Sequence, residues 1–186
     1  ALIVTATMFL IVACSSQEAG DSASQSSAQP VGSQASANAA KDLDPAKDFD
    51  LVLFANEEHQ AGVQISLSGF VGDPVVLNFW FPSCPPCRAE MPDLQDAFEK
   101  YGEQVAFIGI EQLGLDSAAN GQAFLRELGL TYPNMPDVNS TVQFNYEVFS
   151  YPTTIFLDNN HDIARTWTGI IGEKQLGEQL DALLAS

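Results

Sequence analysis

Basic side chains are scarce in this sequence. Only 7 Lys and Arg stand against 24 Asp and Glu in 186 residues, a formal net charge of −17. A nucleic-acid partner needs Lys and Arg against its phosphates, so that class is excluded. Docking by charge on an anionic membrane surface is excluded for the same reason. Histidine is scarcer still, with only His59 and His161, and only two of the 3 cysteines are close together. Without a second Cys-x-x-Cys or a His pair there is no zinc ligand set, and neither a metal nor a cofactor is expected. The longest apolar stretch, Ala1 to Ala13, falls short of the roughly 20 residues a membrane-spanning helix needs. There is no internal repeat. What is present is a 46% apolar composition, enough to supply a packed core under an acidic, soluble surface.

The uncharged run Ala1 to Ala13 has the length of a signal-peptide core, although no Met and no basic residue precede it. Its end, Ile11-Val12-Ala13-Cys14, resembles the lipobox of bacterial lipoproteins, which implies a lipid on Cys14. From Ser15 to Lys41 there is no aromatic residue, and Ser, Ala, Gln and Gly dominate. Such a segment buries too little apolar area to offset its ordering entropy and is expected to be a disordered tether. The expected organisation is therefore a signal segment over 1–13, a lipidated cysteine and tether over 14–41, and one domain over 42–186.

Within that domain, Phe49–Phe54 and Val63–Leu67 read as two short strands around a polar turn. The second alternates, which predicts a buried face of Val63, Ile65 and Leu67. After Gly72-Asp73-Pro74, the run Val75–Phe81 is apolar on both faces, as in a central strand covered on both sides. From Pro85 to Lys100, Met91, Leu94, Ala97 and Phe98 recur at helical spacing, with Pro92 expected to kink the helix. A strand over Gln104–Ile110 follows, then a helix capped by Asp116 and stopped by Gly129. The two prolines within Leu130–Asn139 predict a loop there, and Ser140–Tyr146 a short helix. Strands at Thr153–Leu157 and Ile163–Trp167 and a last helix over Glu173–Leu184 complete the order. This order fits an α/β domain with a mixed sheet between helices.

The most informative stretch is Trp80-Phe81-Pro82-Ser83-Cys84-Pro85-Pro86-Cys87-Arg88-Ala89-Glu90-Met91-Pro92. A Cys-x-x-Cys pair between a strand and a helix is a redox signature. Cys84 falls just before the helix and Cys87 within its first turn. The free N–H groups and partial positive charge there stabilise a thiolate, the form that attacks disulfides. Cys84 is thus read as the nucleophile and Cys87 as the resolving thiol. Neither Pro85 nor Pro86 has an N–H to offer the sulfur, which tilts the pair toward a reductant.

Together with Val75–Trp80, this stretch resembles the TlpA/ResA-like branch of the thioredoxin superfamily, extracytoplasmic thiol–disulfide oxidoreductases of bacteria. The resemblance covers roughly Asp48 to Ala185. It implies a thioredoxin-like three-layer sandwich with an added N-terminal β-hairpin. It also implies that the acid three residues after Cys87, Glu90, lies near the pair and handles its protons; the bland alternative is an acid that only complements the helix dipole. Asn78 stands where thioredoxin has a buried acid. Tyr151-Pro152-Thr153-Thr154 is similar to the family's cis-proline loop, which packs on the cysteine pair and offers the Tyr151 backbone to substrate. Trp80, Pro85, Pro86 and Tyr151 are the expected substrate contacts, while Ser83 departs from the usual Trp.

The resemblance further implies dithiol–disulfide exchange on exported proteins or apocytochrome c, fed by a membrane electron donor, by a lipid-anchored monomer outside the cytoplasmic membrane. Two competing readings remain. A thioredoxin-like peroxidase needs Thr or Ser three residues before its cysteine, where Phe81 stands. A copper- or haem-handling protein needs His and Met ligands near the pair, where only Met91 is placed by sequence.

Overall fold

The computed structural model describes residues 44–185. The expected signal segment, the lipidated Cys14 and the tether lie outside the described residues. Seven strands and four helices follow in order: β1 (Asp50–Val52), β2 (Gln64–Ser66), β3 (Val75–Trp80), α1 (Pro85–Tyr101), β4 (Ala106–Gln112), α2 (Ala118–Leu128), β5 (Asn134–Asp137), α3 (Thr141–Asn145), β6 (Thr153–Leu157), β7 (Ile163–Thr168) and α4 (Glu173–Leu184). A single 3-10 turn, Leu67–Phe70, follows β2.

Five strands form one sheet in the order β5-β4-β3-β6-β7. β3 runs parallel to β4, and β4 to β5, while β6 and β7 are antiparallel to their neighbours. β3 is central, and all six of its residues are buried. Its alternation divides the core: Val76 and Trp80 face the layer built with α1, α2 and α4, whereas Val75, Leu77 and Phe79 face the layer closed by α3 and the N-terminal segment. The expected three-layer arrangement is therefore present.

The expected N-terminal hairpin is present: β1 and β2 pair antiparallel with each other as a separate two-stranded sheet. Several local expectations are corrected. The expected buried face of the second strand forms only in part: Ile65 packs on the core and Leu67 is buried, though in the 3-10 turn, while Val63 is 47% exposed. The segment read as a loop contains β5, an edge strand parallel to β4. Pro133 and Pro136 argued against a strand, but an edge strand has one side that makes no ladder bonds, so it tolerates a missing N–H. The N-cap of α2 is Ser117, whose Oγ accepts from Asn120 N, and not Asp116, whose Oδ1 instead accepts from Ser117 N and the Asn120 side chain. Gly129 does end α2, at φ 65°, a left-handed cap position that glycine adopts without penalty. Helix α1 continues unbroken through Pro92. β4 runs on past Ile110 to Gln112, so Glu111 is a strand residue.

Candidate active site

Cys84 and Cys87 are joined in a disulfide with their Cα atoms 5.3 Å apart. Cys84 is the N-cap of α1, and Pro85 takes the first helical position. The Sγ of Cys84 accepts the backbone N–H of Cys87 at 3.1 Å. Because Pro85 and Pro86 carry no N–H, this amide is the first one the helix offers the sulfur. Cys84 is 2% exposed and Cys87 fully buried, both within the core layer under α1.

Glu90 lies one turn further along α1 and is fully buried. Its Oε1 accepts from Asn78 Nδ2 at 2.8 Å, and its Oε2 from the backbone N–H of Ile171 at 2.9 Å. Burial pushes its carboxyl up to about 7, against the opposing pull of those two donors. Asn78 also donates to Thr154 Oγ1 at 3.1 Å, tying α1 to the strand that follows Pro152. The amide and the acid that the sequence placed at separate motifs thus form one buried cluster. The Ile171 N–H was not foreseen, since a main-chain donor leaves no mark on the sequence.

The Tyr151–Pro152 bond is cis, and Pro152 is buried directly before β6. Tyr151 packs edge-on against Phe81, with ring centroids 5.3 Å apart. Pro85 and Pro86 are exposed on the surface at the start of α1. Trp80 is not on that surface, contrary to expectation. It is fully buried, stacked against Phe124 at 5.3 Å, and its Nε1 donates to Asn134 Oδ1 at 3.0 Å. A strand covered on both faces leaves its last residue no route to solvent, so Trp80 belongs to the core. Ser83 is exposed and lies by Asp116, which it helps hold below the usual carboxylate range. Among the described residues no group of three His, Cys, Asp or Glu could hold a metal ion.

Residues 43–166 match the AhpC/TSA family. The chain is 36% identical over 129 residues to the thiol-disulfide oxidoreductase ResA of Oceanobacillus iheyensis, covering 69% of this chain and 65% of that protein, just under two thirds of its length. It is 30% identical over 141 residues to ResA of Geobacillus kaustophilus, covering 74% of this chain and 75% of that one. Among solved structures it is similar to the pneumococcal exposed lipoprotein thioredoxin Etrx1 of Streptococcus pneumoniae, with 25% identity, a TM-score of 0.65, and coverage of 74% of this chain and all of that one. A buried Cys-x-x-Cys disulfide at a helix start, beside a cis-proline loop on a thioredoxin-like sheet, is the arrangement expected for such relatives. The chain belongs to the AhpC/TSA family, among its thioredoxin-like thiol–disulfide oxidoreductases.

Proposed function

We propose that this chain is a disulfide reductase acting on exported proteins outside the cytoplasmic membrane, held there by a lipid on Cys14. In this reading the Cys84 thiolate attacks a substrate disulfide and forms a mixed disulfide, and one substrate sulfur leaves as a thiolate that takes a proton from solvent. Cys87 then gives up its proton to Glu90 and attacks Cys84, releasing the second substrate thiol. The observation that carries this order is the Cys87 N–H aimed at Cys84 Sγ at the start of α1, because it stabilises negative charge on Cys84 alone. Pro152 and Tyr151 line the approach, and Pro85 and Pro86 face the substrate. No cofactor takes part. A membrane dithiol donor returns the pair to its reduced state, and apocytochrome c is one candidate substrate. The protein works as a monomer. The lipoprotein named among its structural relatives supports the anchor.

The peroxidase reading is disfavoured by Phe81, whose ring packs on Tyr151 where a hydroxyl would be needed. The metal-handling reading is disfavoured because Met91 is fully buried and His161 Nε2 is engaged with the Phe70 carbonyl at 3.1 Å.

The test is trapping. Cys87→Ser is expected to accumulate mixed disulfides with a disulfide-bonded protein substrate, and Cys84→Ser to accumulate few. The reverse pattern would overturn the assignment. The direction of electron flow is read from the potential of the pair: about −270 mV marks a reductant and about −120 mV an oxidant.

A further inference from the structure

A second acid in this core has no part in the mechanism above. Glu111 is fully buried, and neither of its carboxyl oxygens has a hydrogen-bond partner. It lies near the carboxyl end of β4, in register with Trp80 of β3 on one side and Pro136 of β5 on the other. The strand that carries Trp80 continues directly into the cysteine loop, and Trp80, Cys84 and Cys87 share one apolar cluster. The helix above makes room for the acid. Gly121 of α2 faces it so closely that a Cβ there would fall within the Glu111 carboxyl group.

An ionised carboxylate with no donor and no cation beside it is costly to bury, so Glu111 holds its proton. Burial, with Asp116 adding like charge, pushes it up to about 8. The other titratable and charged groups around it do not offset this. Asp116 is an acid on the loop after β4, and Asp137 is an acid at the end of β5. Tyr132 is buried, and burial pushes its hydroxyl far up. The Arg88 guanidinium lies beyond the Phe124 ring, 4.6 Å from its centroid, and is paired with Glu127 at 2.7 Å.

We propose that Glu111 is a positioning residue for the redox reaction, a buried neutral acid whose proton keeps a second negative charge out of the cluster that holds Cys84 and Cys87. The proposal rests on the oxidoreductase reading. When a dithiol donor reduces the pair, two electrons break the S–S bond and the donor becomes a disulfide. Cys84 is left as a thiolate and Cys87 as a thiol. One donor proton goes to Cys87. The other goes to solvent while Glu111 is neutral, and to the Glu111 carboxylate once that group has ionised. A new thiolate therefore favours the protonated acid and, reciprocally, an ionised Glu111 disfavours the thiolate.

The test compares the full chain with Glu111→Gln in redox equilibrium with glutathione at pH 6.5 and pH 9. At pH 6.5 both side chains are neutral, and the equilibrium constants should agree. At pH 9 wild-type Glu111 is ionised, and the variant should be more reduced by about fivefold or more. A ratio that does not change with pH would overturn the proposal, because a purely structural role shifts stability without this dependence. Infrared difference spectra of the wild type, reduced by a phosphine, give a second readout that does not depend on the folding of Glu111→Gln. A carboxylic-acid band that moves on reduction at pH 7.5 beyond any contribution of Glu90, assigned by its persistence in Glu90→Gln, supports the coupling; an unmoved band overturns it. A chain that never exchanges with glutathione sinks the oxidoreductase reading instead, and the infrared readout still decides the coupling of Glu111.

Discussion

Glu90 shows how one side chain can be legible by position and yet take its chemistry from groups the sequence does not mark. Its spacing from Cys87 put it on the same helix face, but its raised carboxyl comes first from burial, which only the packed structure supplies. In the proposed mechanism its carboxylate, above pH 7, is a negative charge that disfavours a thiolate at the pair. Glu90→Gln is therefore expected to lower the apparent thiol pKa of the reduced pair and to flatten the pH profile of exchange above pH 7. Thiolate absorbance across pH 5 to 10 checks this, and superimposable curves would leave Glu90 a structural role only. The variant should also cost stability. Both oxygens of Glu90 accept hydrogen bonds, and a Gln amide nitrogen opposite the Ile171 or Asn78 donor loses one of them, at about 1–3 kcal/mol. Asn78 can soften this by turning its amide, since its Oδ1 has no partner now.

At the scale of elements, a side-chain bridge across β4 adds to the backbone ladders that join β3, β4 and β5. Trp80 Nε1 donates to Asn134 Oδ1, and Asn134 Nδ2 to the Tyr132 carbonyl at 2.9 Å. Gly109 of β4 leaves the space for this bridge; a Cβ there would overlap the Asn134 side chain and approach Trp80 Nε1 to 3.0 Å. Gly109→Ala should break the bridge and destabilise the oxidised chain by about 1–3 kcal/mol, as overpacking does. Urea unfolding measures it, and an unchanged midpoint would show that Asn134 can move aside without cost. The same elements show what the sequence could carry. The central strand, the cysteine helix, the Pro152 loop and the last helix were legible, because unbroken apolar runs, a Cys-x-x-Cys pair and a 3.6-residue period are strong local signals. β5 was not, because Pro133 and Pro136 mask an edge strand whose pairing with β4 is set by the sheet. Nor was the burial of Trp80, whose neighbours Phe124 and Asn134 are distant in sequence. The space that Glu111 fills depends on Gly121, ten residues on and facing it only once α2 has packed, which no local pattern in the sequence marks.

For the whole molecule, the dominant fact is charge. With 24 acidic residues against 7 basic ones, the surface repels itself increasingly as carboxyls ionise. Among the described residues the side-chain ion pairs are Arg88–Glu127 and Lys174–Glu178, both exposed, and pairs of this kind add little. The two buried acids act in the same direction. A carboxyl raised in the folded chain keeps its proton where the unfolded chain has lost it, so its stabilising effect is full below about pH 4.5 and lost as pH rises. For Glu90 that loss is complete above about 7 and for Glu111 above about 8. Asp48 and Asp116, held below the ordinary range, oppose this only in acid, where stability falls as they are protonated. The oxidised full chain is therefore expected to be most stable in mildly acidic solution and to lose melting temperature steadily from pH 5 to pH 8. Salt should lift the upper part of that curve by screening the surface, but it should leave a residual slope, because ions do not reach Glu90 and Glu111. Thermal unfolding at pH 5, 6, 7 and 8, at low and high ionic strength, separates the two contributions. Glu111→Gln should flatten the residual slope between pH 5 and pH 8, while a wild-type curve that climbs over this range would mean that the buried carboxyls are ionised in the folded chain and have cationic partners.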